Sequence, residues 1–333
     1  MSNRKKILYA VLCICLLFMS VARAASAELA CNGNQVSGEV SVNGWTFPVD
    51  ACLTTASGLG GNILCTPMTF ERAAWEQALE ACFPDNGRAL AEQLCVENGM
   101  VSAFLRYVDG LTMYPALLPA SQQAMDSALE SALAASLAFC QAVGLQVDAQ
   151  PLSCAWILNN DQGIRMTLQP EEAASYGQKL LMEVWLPLCA DSSVLIPHVQ
   201  VPRYHGTINF SGSDELLAQT PGARFLFDAQ GALLSFQASL MELSVTQTAA
   251  EGINWQDALD AFLTEYTENP QVQMLLATAP YTITSIRSAW DLTEKNTGSR
   301  GWMITLFSRV PREDSPTGWR DRYYTAFVYG GST

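Results

Sequence analysis

Two stretches of similar pattern fix most of what this chain can fold into: Trp75-Glu76-Gln77-Ala78-Leu79-Glu80-Ala81-Cys82-Phe83 and Trp255-Gln256-Asp257-Ala258-Leu259-Asp260-Ala261-Phe262-Leu263. Aligned, they share Trp, Ala, Leu and Ala at the same places. In each, Trp, Ala, Leu and then Cys or Phe recur at i, i+3, i+4 and i+7, which is one face of an α-helix. Acids and Gln occupy the other face, and Asn254 is suited to cap the second helix. The repetition predicts one kind of helix used twice, each copy packed on its own sheet.

The N-terminus bears on the compartment. Arg4, Lys5 and Lys6 precede an apolar run from Ile7 to Val21, followed by Ala22-Arg23-Ala24-Ala25-Ser26-Ala27. A basic segment, an apolar segment and a small-residue site together predict a secretory signal peptide over residues 1–27, cut after Ala24 or Ala27. The rival reading is a retained anchor, for which the apolar run is short; lipid attachment at Cys31 is a third. Removing residues 1–27 takes away four basic residues and no acids, so the formal charge moves from -14 to -18. A surface of that sign repels nucleic acid and anionic lipid. The expected location is secreted or extracytoplasmic, with a membrane involved only if the N-terminal segment is kept.

Cysteine usage agrees with export. Cys13 and Cys15 leave with the signal, and Cys31, Cys52, Cys65, Cys82, Cys95, Cys140, Cys154 and Cys189 remain. An even number in an exported chain makes all eight candidates for structural disulfides. All lie before residue 190, which suggests a stapled first part and a second part resting on its core. No C-x-x-C occurs, so neither a redox motif nor a zinc knuckle is indicated.

Read along the chain, Gln35 to Val49 alternates apolar and polar residues around Asn43-Gly44, the pattern of a β-hairpin. Thr69 is placed to cap the first helix. A second helix is expected over Arg88 to Glu97, stopping at Asn98-Gly99, so that a Cys82–Cys95 bridge would staple a helical hairpin. An Ala-rich helix follows from Ser121 to Val143, with Gly144 as its stop. Strands are expected at 154–158, 164–168 and 180–188. A hairpin then turns at 228–231 between Arg224–Asp228 and Ala232–Leu243. The second copy of the helix runs from Asn254 to about Thr267, and three strands close the chain: Tyr281 to Leu292, Gly301 to Val310 and Arg322 to Tyr329. These elements describe an α+β protein of two related modules, each an antiparallel sheet packed by a helix. The expected division is a cysteine-rich hairpin-plus-helix module over 28–150, carrying the helical insertion, and an α+β module over 151–333. Ala155-Trp156 with Met166-Thr167-Leu168 echoes Ala289-Trp290 with Met303-Ile304-Thr305-Leu306, which also suggests duplication.

The run from Phe225 to Phe236, then Trp255 to Leu259, then Tyr281 to Trp290 resembles a PepSY-type module, in which a hairpin turning at Gly is combined with a helix whose Ala-Leu face covers the sheet. Tandem modules behind one N-terminal hydrophobic segment are similar to the YycH/YycI-type regulators of Gram-positive bacteria and to secreted clostridial proteins of like layout. The resemblance covers roughly residues 220–333 and, more faintly, 35–170. The chain departs from the regulators in its eight mature cysteines and its cleavage site. The resemblance implies binding or regulation and carries over no catalytic residue.

Candidate chemistry is sparse. His198 and His205 are separated by Pro202 and read as unrelated loop residues rather than metal ligands, so no metal site and no cofactor is expected. No G-x-S-x-G turn, P-loop or dinucleotide glycine pattern is present. The adjacent pairs Glu171-Glu172 and Asp214-Glu215 are the carboxylates that a glycan-cleaving enzyme would use, and otherwise read as solvated surface. Asp257 and Asp260 read as the wet face of the second helix.

The C-terminal strands hold Arg287, Lys295, Arg300, Arg309, Arg312, Arg320 and Arg322 among Trp302, Trp319, Tyr323 and Tyr324. Arg300, Trp302, Arg309, Arg312, Trp319 and Arg320 form the candidate binding set, able to hold an anionic glycan or an acidic partner by pairing and stacking. The alternative is charge protecting strand edges, with aromatics in cross-strand pairs. The sequence thus points to an exported non-catalytic binding or regulatory protein of the cell envelope, with an extracytoplasmic protein or glycan as partner. The other classes are a secreted glycan-directed hydrolase using paired carboxylates and a purely structural surface protein.

Overall fold

A computed structural model of the chain describes residues 29–55, 61–105, 122–159, 165–168, 180–197, 203–204, 207–211, 220–246, 253–292, 297–311 and 318–329. The fold is mixed α+β and mostly sheet. The larger sheet is 12-stranded, and its main path is β1 (Ala30–Asn32), β2 (Gln35–Val42), β3 (Trp45–Thr54), β17 (Thr282–Leu292), β18 (Thr297–Pro311), β19 (Trp319–Tyr329), β13 (Thr207–Ser211) and β12 (Arg203–Tyr204). Two short branches join it: β10 (Cys189–Ala190) and β11 (Ser193–Ile196) beside β17, and β4 (Asn62–Pro67) and β16 (Met241–Thr246) beside β18. The smaller sheet is 7-stranded, in the order β5 (Cys95–Glu97), β6 (Met100–Phe104), β15 (Leu233–Ser239), β14 (Gly222–Phe227), β9 (Leu180–Pro187), β7 (Ser153–Asn159) and β8 (Arg165–Leu168). Every pairing is antiparallel except β3 and β11 against β17, which are parallel.

Each Trp-containing helix covers a different sheet. On the larger one lies α4 (Trp255–Glu268), whose Ala258, Leu259, Phe262 and Leu263 share a core with Phe47, Ile286, Ile304 and Leu306. Its start is fixed by Asn254, whose Oδ1 accepts from the Asp257 backbone N–H at 2.8 Å; that bond satisfies one of the orphan donors of the first turn. A short helix, α5 (Pro270–Leu276), follows. On the smaller sheet lie α1 (Arg72–Cys82), α2 (Gly87–Glu92) and α3 (Gln122–Ala142). There Phe139 of α3 sits among rings, 5.5 Å from Trp75, 5.6 Å from Phe83, 5.7 Å from Phe225 and 5.3 Å from Phe236 between centroids. This core is continuous with residues of the larger sheet, including Ile63, Leu243, Trp290 and Leu292. No helix among the described residues is long and apolar enough to cross a membrane.

Several local expectations change. The first helix has Glu71, not Thr69, at its N-cap, with no side-chain bond. The helix expected over Arg88 to Glu97 is shorter: α2 ends at Glu92, and Cys95–Glu97 is an edge strand. Asn98-Gly99 is the reason. Both residues have positive φ, 52° and 73°, which makes them a primed hairpin turn into β6 rather than a helix stop. The apolar run Ala232–Leu243 is two strands in two sheets, divided at Leu240, whose backbone N–H donates to the Gly99 carbonyl at 2.8 Å.

A Cys82–Cys95 staple does not fit this arrangement. Arg72, the first residue of α1, donates from Nη2 to the Leu94 carbonyl at 2.7 Å. Cys95 therefore lies at the start of α1 and Cys82 at its end, about 15 Å along the axis at 1.5 Å per residue. The eight cysteines from Cys31 to Cys189 stand as free thiols, with Cys31 and Cys95 exposed and Cys65 and Cys140 buried.

The strand pairing also crosses the expected boundary at residue 150. The hairpin β2–β3 joins the sheet covered by α4, and the hairpin β14–β15 joins the sheet covered by α1 and α3. Each hairpin thus packs under the helix of the other half of the sequence.

Candidate functional site

The cationic-aromatic set of the C-terminal strands does not form one surface. Strand β18 lies between β17 and β19 and is covered on both faces, so Arg300 and Trp302 are interior residues, each 3% exposed. Trp302 Nε1 donates to the Ile253 carbonyl at 2.9 Å, tying the sheet to the start of α4. Arg300 donates from Nη2 to Asp191 Oδ2 at 2.6 Å, and its guanidinium lies 4.3 Å from the Trp290 ring centroid. That pair holds the β10–β11 turn, where Asp191 and Ser192 both adopt positive φ, 50° and 56°. Charge pairing and stacking are thus both present, but they are turned inward.

Arg287 is buried as well. Its Nη2 donates to the carbonyls of Gln150 at 2.7 Å and Pro151 at 3.3 Å, fixing the segment that leads into β7. Burial lowers its pKa, opposed by the nearby Asp148, Cys52 and Cys189. Of the remaining set, Arg309 is half-buried opposite Asp321, and Trp319 is exposed opposite Pro311 at the far end of the β18–β19 ladder. Arg320 is described only by its place opposite Val310, and Arg312 lies outside the described residues. So do both histidines and the pairs Glu171-Glu172 and Asp214-Glu215. Asp257 and Asp260 are exposed on α4, where burial and then the Asp257 charge raise the Asp260 pKa. No cluster of His, Cys, Asp or Glu able to hold a metal ion occurs among the described residues.

What sequence reasoning missed is a cleft of about 320 Å³ where the two sheets meet. The chain builds it by changing sheets. Strand β15 leaves the smaller sheet at Ser239 and enters the larger one as β16 at Met241. Leu240 bridges the step, its carbonyl accepting from the Met68 N–H at 3.1 Å. The Asn98-Gly99 turn and the end of β4 close two sides, and β14 and β15 form the floor. Gly222 lets β14 lie close against β9, since a Cβ there would stand 2.3 Å from the Leu186 carbonyl oxygen.

At the centre is Arg224. Glu183 on the neighbouring strand, 6% exposed, takes both its Nε and its Nη2 through one carboxylate oxygen. The Arg224 Cζ lies 4.7 Å from the centroid of Trp185, which is 4% exposed. Ser153 adds a hydroxyl to the other carboxylate oxygen at 3.4 Å. A cation both paired and stacked loses little further freedom when a ligand arrives. Its Nη1 amino group has no partner among the described residues and is left to serve one. Gln237 pairs with Arg224 across the strands, and Asn98, Thr220 and Ser239 complete the polar lining beside Met100 and Met241. Cys65 also borders the cleft, where burial pushes its thiol up to about 11. At neutral pH it is a thiol, not the thiolate a nucleophile needs.

The cleft offers fixed hydrogen-bond donors, amides and hydroxyls around a neutralised ion pair, with a thioether rim. That composition recognises carbonyl and hydroxyl oxygens. No signal in the sequence marked it, because its residues come from five separate segments and each alone reads as ordinary strand or turn.

No family model and no curated protein matches this sequence. Among solved structures, the chain is similar along its length to an uncharacterized protein from Eubacterium rectale ATCC 33656, with 10% identity, a TM-score of 0.47, and coverage of 90% of this chain and 92% of that one. A likeness at that level carries no argument about the site.

Proposed function

We propose that the protein is an exported, non-catalytic binding or regulatory protein of the cell envelope, which takes an extracytoplasmic protein segment or glycan in the cleft between its two sheets. The observation that carries this reading is Arg224: a guanidinium held rigid by Glu183 and Trp185 at the floor of a polar cleft, with one amino group that has no partner among the described residues. Pre-organised donors of this kind favour reversible binding of oxygen-rich ligands. The signal-like N-terminus, the related pair of modules and the pairing of cysteines outside the cytoplasm belong to the same proposal. So does the PepSY-type resemblance, now with the hairpins exchanged between the two halves.

The test uses immobilised cell-wall oligosaccharides and a panel of unrelated peptides as probes. Wild-type protein should show saturable capture of one probe class with no product formed. Gln237→Ala and Asn98→Gly, the latter keeping the positive φ of the turn, should weaken capture at least tenfold, about 1.4 kcal/mol, while leaving the melting temperature within 2 °C of wild type. Unchanged capture in both variants would remove the cleft from consideration. Released product, lost on a single Asp or Glu change, would establish the hydrolase instead.

A further inference from the structure

Four of the eight cysteines from Cys31 to Cys189, namely Cys65, Cys82, Cys140 and Cys154, surround the aromatic core beneath α1 and α3, and two of these lie on facing helices. Cys82 is the last residue of α1, packed against the core and lining a second cleft of about 370 Å³ between α1, α3 and the β14–β15 turn. Cys140 lies on α3 and is 0% exposed. Their immediate neighbours in sequence, Phe83 and Phe139, have ring centroids 5.6 Å apart. Two other pairings are less well placed: Cys95 with Cys82, and Cys154 with Cys140. Cys95 is at the opposite end of α1, and the Cys154 thiol turns to the Leu129 carbonyl at 3.9 Å, more than two helical turns before Cys140.

We propose that Cys82 and Cys140 form a disulfide that ties the end of α1 to the middle of the core through α3. The closure needs the two Cβ atoms about 3.8 Å apart, which a movement of the last turn of α1 supplies. That turn carries Phe83 with it, so closure also shifts the packing of the Phe83 ring on Phe139. The sulfurs already sense each other: a charge on Cys82 raises the Cys140 pKa, on top of burial.

The order of events follows from exposure. Cys82, facing a cleft, is the thiol an incoming oxidant reaches. Its thiolate attacks the disulfide of a thiol oxidant such as glutathione disulfide, expelling one thiolate and leaving a mixed disulfide on Cys82. The Cys140 thiolate then attacks the Cys82 sulfur and expels the second thiolate. The protein loses two thiol protons and two electrons, and one disulfide of the oxidant becomes two thiols. Burial holds the Cys140 thiol up to about 12, so closure is slow at neutral pH and the bond, once made, is sheltered. It is a structural staple rather than a redox switch.

The pairing rests on the export reading only for its occurrence in the cell, and two arms separate them. In the first, protein from the native host is alkylated without reduction and digested with trypsin and an Asp-directed protease. Trypsin separates Cys82 from Cys95 at Arg88, and Asp148 separates Cys140 from Cys154. In the second, purified reduced protein is incubated with glutathione disulfide and mapped the same way. A linked Cys82–Cys140 peptide in both arms is the expected result. The linked peptide in the second arm alone sustains the pairing and removes the export reading. Cys82 or Cys140 joined to any other cysteine, or both alkylated in the second arm, overturns the pairing. Cys82→Ser and Cys140→Ser provide an independent readout on the oxidised protein. Each should lower the melting temperature by roughly 5–10 °C, and the double variant should fall no further than the worse single one. Additive losses would indicate two unconnected thiols.

Discussion

The two sheets solve the same problem with different materials. Beneath α4, the larger sheet is filled by aliphatic residues such as Val36, Ile283, Ile304 and Leu306, with Phe262 touching two tyrosine rings, Tyr266 and Tyr324. Beneath α1 and α3, the smaller sheet is filled by interlocking phenylalanines around Trp75, ringed by thiols. An aliphatic core under a regular helix adapts when a side chain is changed. An aromatic cluster locked between two helices and a sheet adapts poorly, because rings cannot collapse into each other's space. The smaller sheet is therefore the part in which one substitution is felt most widely, and it is also where a covalent tie has most to hold.

The comparison breaks first if the halves unfold independently. The larger sheet lends Ile63, Leu243, Trp290 and Leu292 to the core of the smaller one, so a lesion in either should lower a single cooperative transition. Gly301→Val is the harshest lesion for the larger sheet: a Cβ there would lie 2.2 Å from the Val328 carbonyl oxygen and 2.5 Å from Phe327 Cζ. Gly222→Val does the same in the smaller sheet. Each should cost more than about 5 kcal/mol, read as loss of soluble folded protein or one strongly lowered calorimetric peak; two separate peaks would defeat the shared-core view. Next in size is the contrast between Phe139→Ala and Phe262→Ala. Phe139 contacts four rings and Phe262 two, so we expect about 4–5 kcal/mol for the first and about 3 kcal/mol for the second. Urea unfolding measures both, and equal losses would dissolve the distinction between the cores.

Alkali provides the third test. In the reduced protein, burial raises the Cys65 and Cys140 pKa values from 9.0 to about 11 and about 12. The folded state thus keeps thiol protons that the unfolded chain gives up. That stability is complete below pH 9 and declines as pH rises through 11 and 12. The loss by pH 11 should be on the order of 2 kcal/mol for Cys140. Disulfide-bonded protein, with no proton on Cys140, should lack that part of the decline. Tyr266, raised by burial on the other side of the molecule, adds a loss of its own above its ordinary range. The mildest test compares the two helix starts. Asn254→Ala removes a cap bond and should cost about 1 kcal/mol, whereas Glu71→Ala, with no side-chain cap bond to lose, should cost less than about 0.5 kcal/mol.

Periodicity made the two Trp helices and most strands legible, because one buried face writes a clear repeat. Asn43-Gly44 announced its hairpin correctly, with φ of 52° and 83°. Asn98-Gly99 carries the same dipeptide but follows a strand rather than a helix, and a turn signal does not say which element precedes it. Pairing between distant strands was not legible at all. Nothing in Val49 says that it lies beside Ile283 rather than in a sheet of its own. Arg300 and Trp302 read as surface chemistry for a related reason: only the pairing shows β18 to be an inner strand, with Trp302 tied to the start of α4 and Arg300 held against Asp191 and Trp290. The cleft around Arg224 depends on where β15 changes sheets, a fact of topology that local composition does not record.

The exchanged hairpins bear on how the chain comes to be made. Strand β3 finds its parallel partner in β17 and β14–β15 its neighbours in β6 and β9, so the first hairpin waits for nearly the whole polypeptide before it has a sheet to join. Long-range pairing of this kind is slow, since distant segments must meet before any contact rewards them. A chain arrested midway has an orphan edge and half a core, open to association with its neighbours. Fragments cut near residue 150 should accordingly fail to fold apart yet have a route to reassemble when mixed, each carrying the hairpin the other lacks.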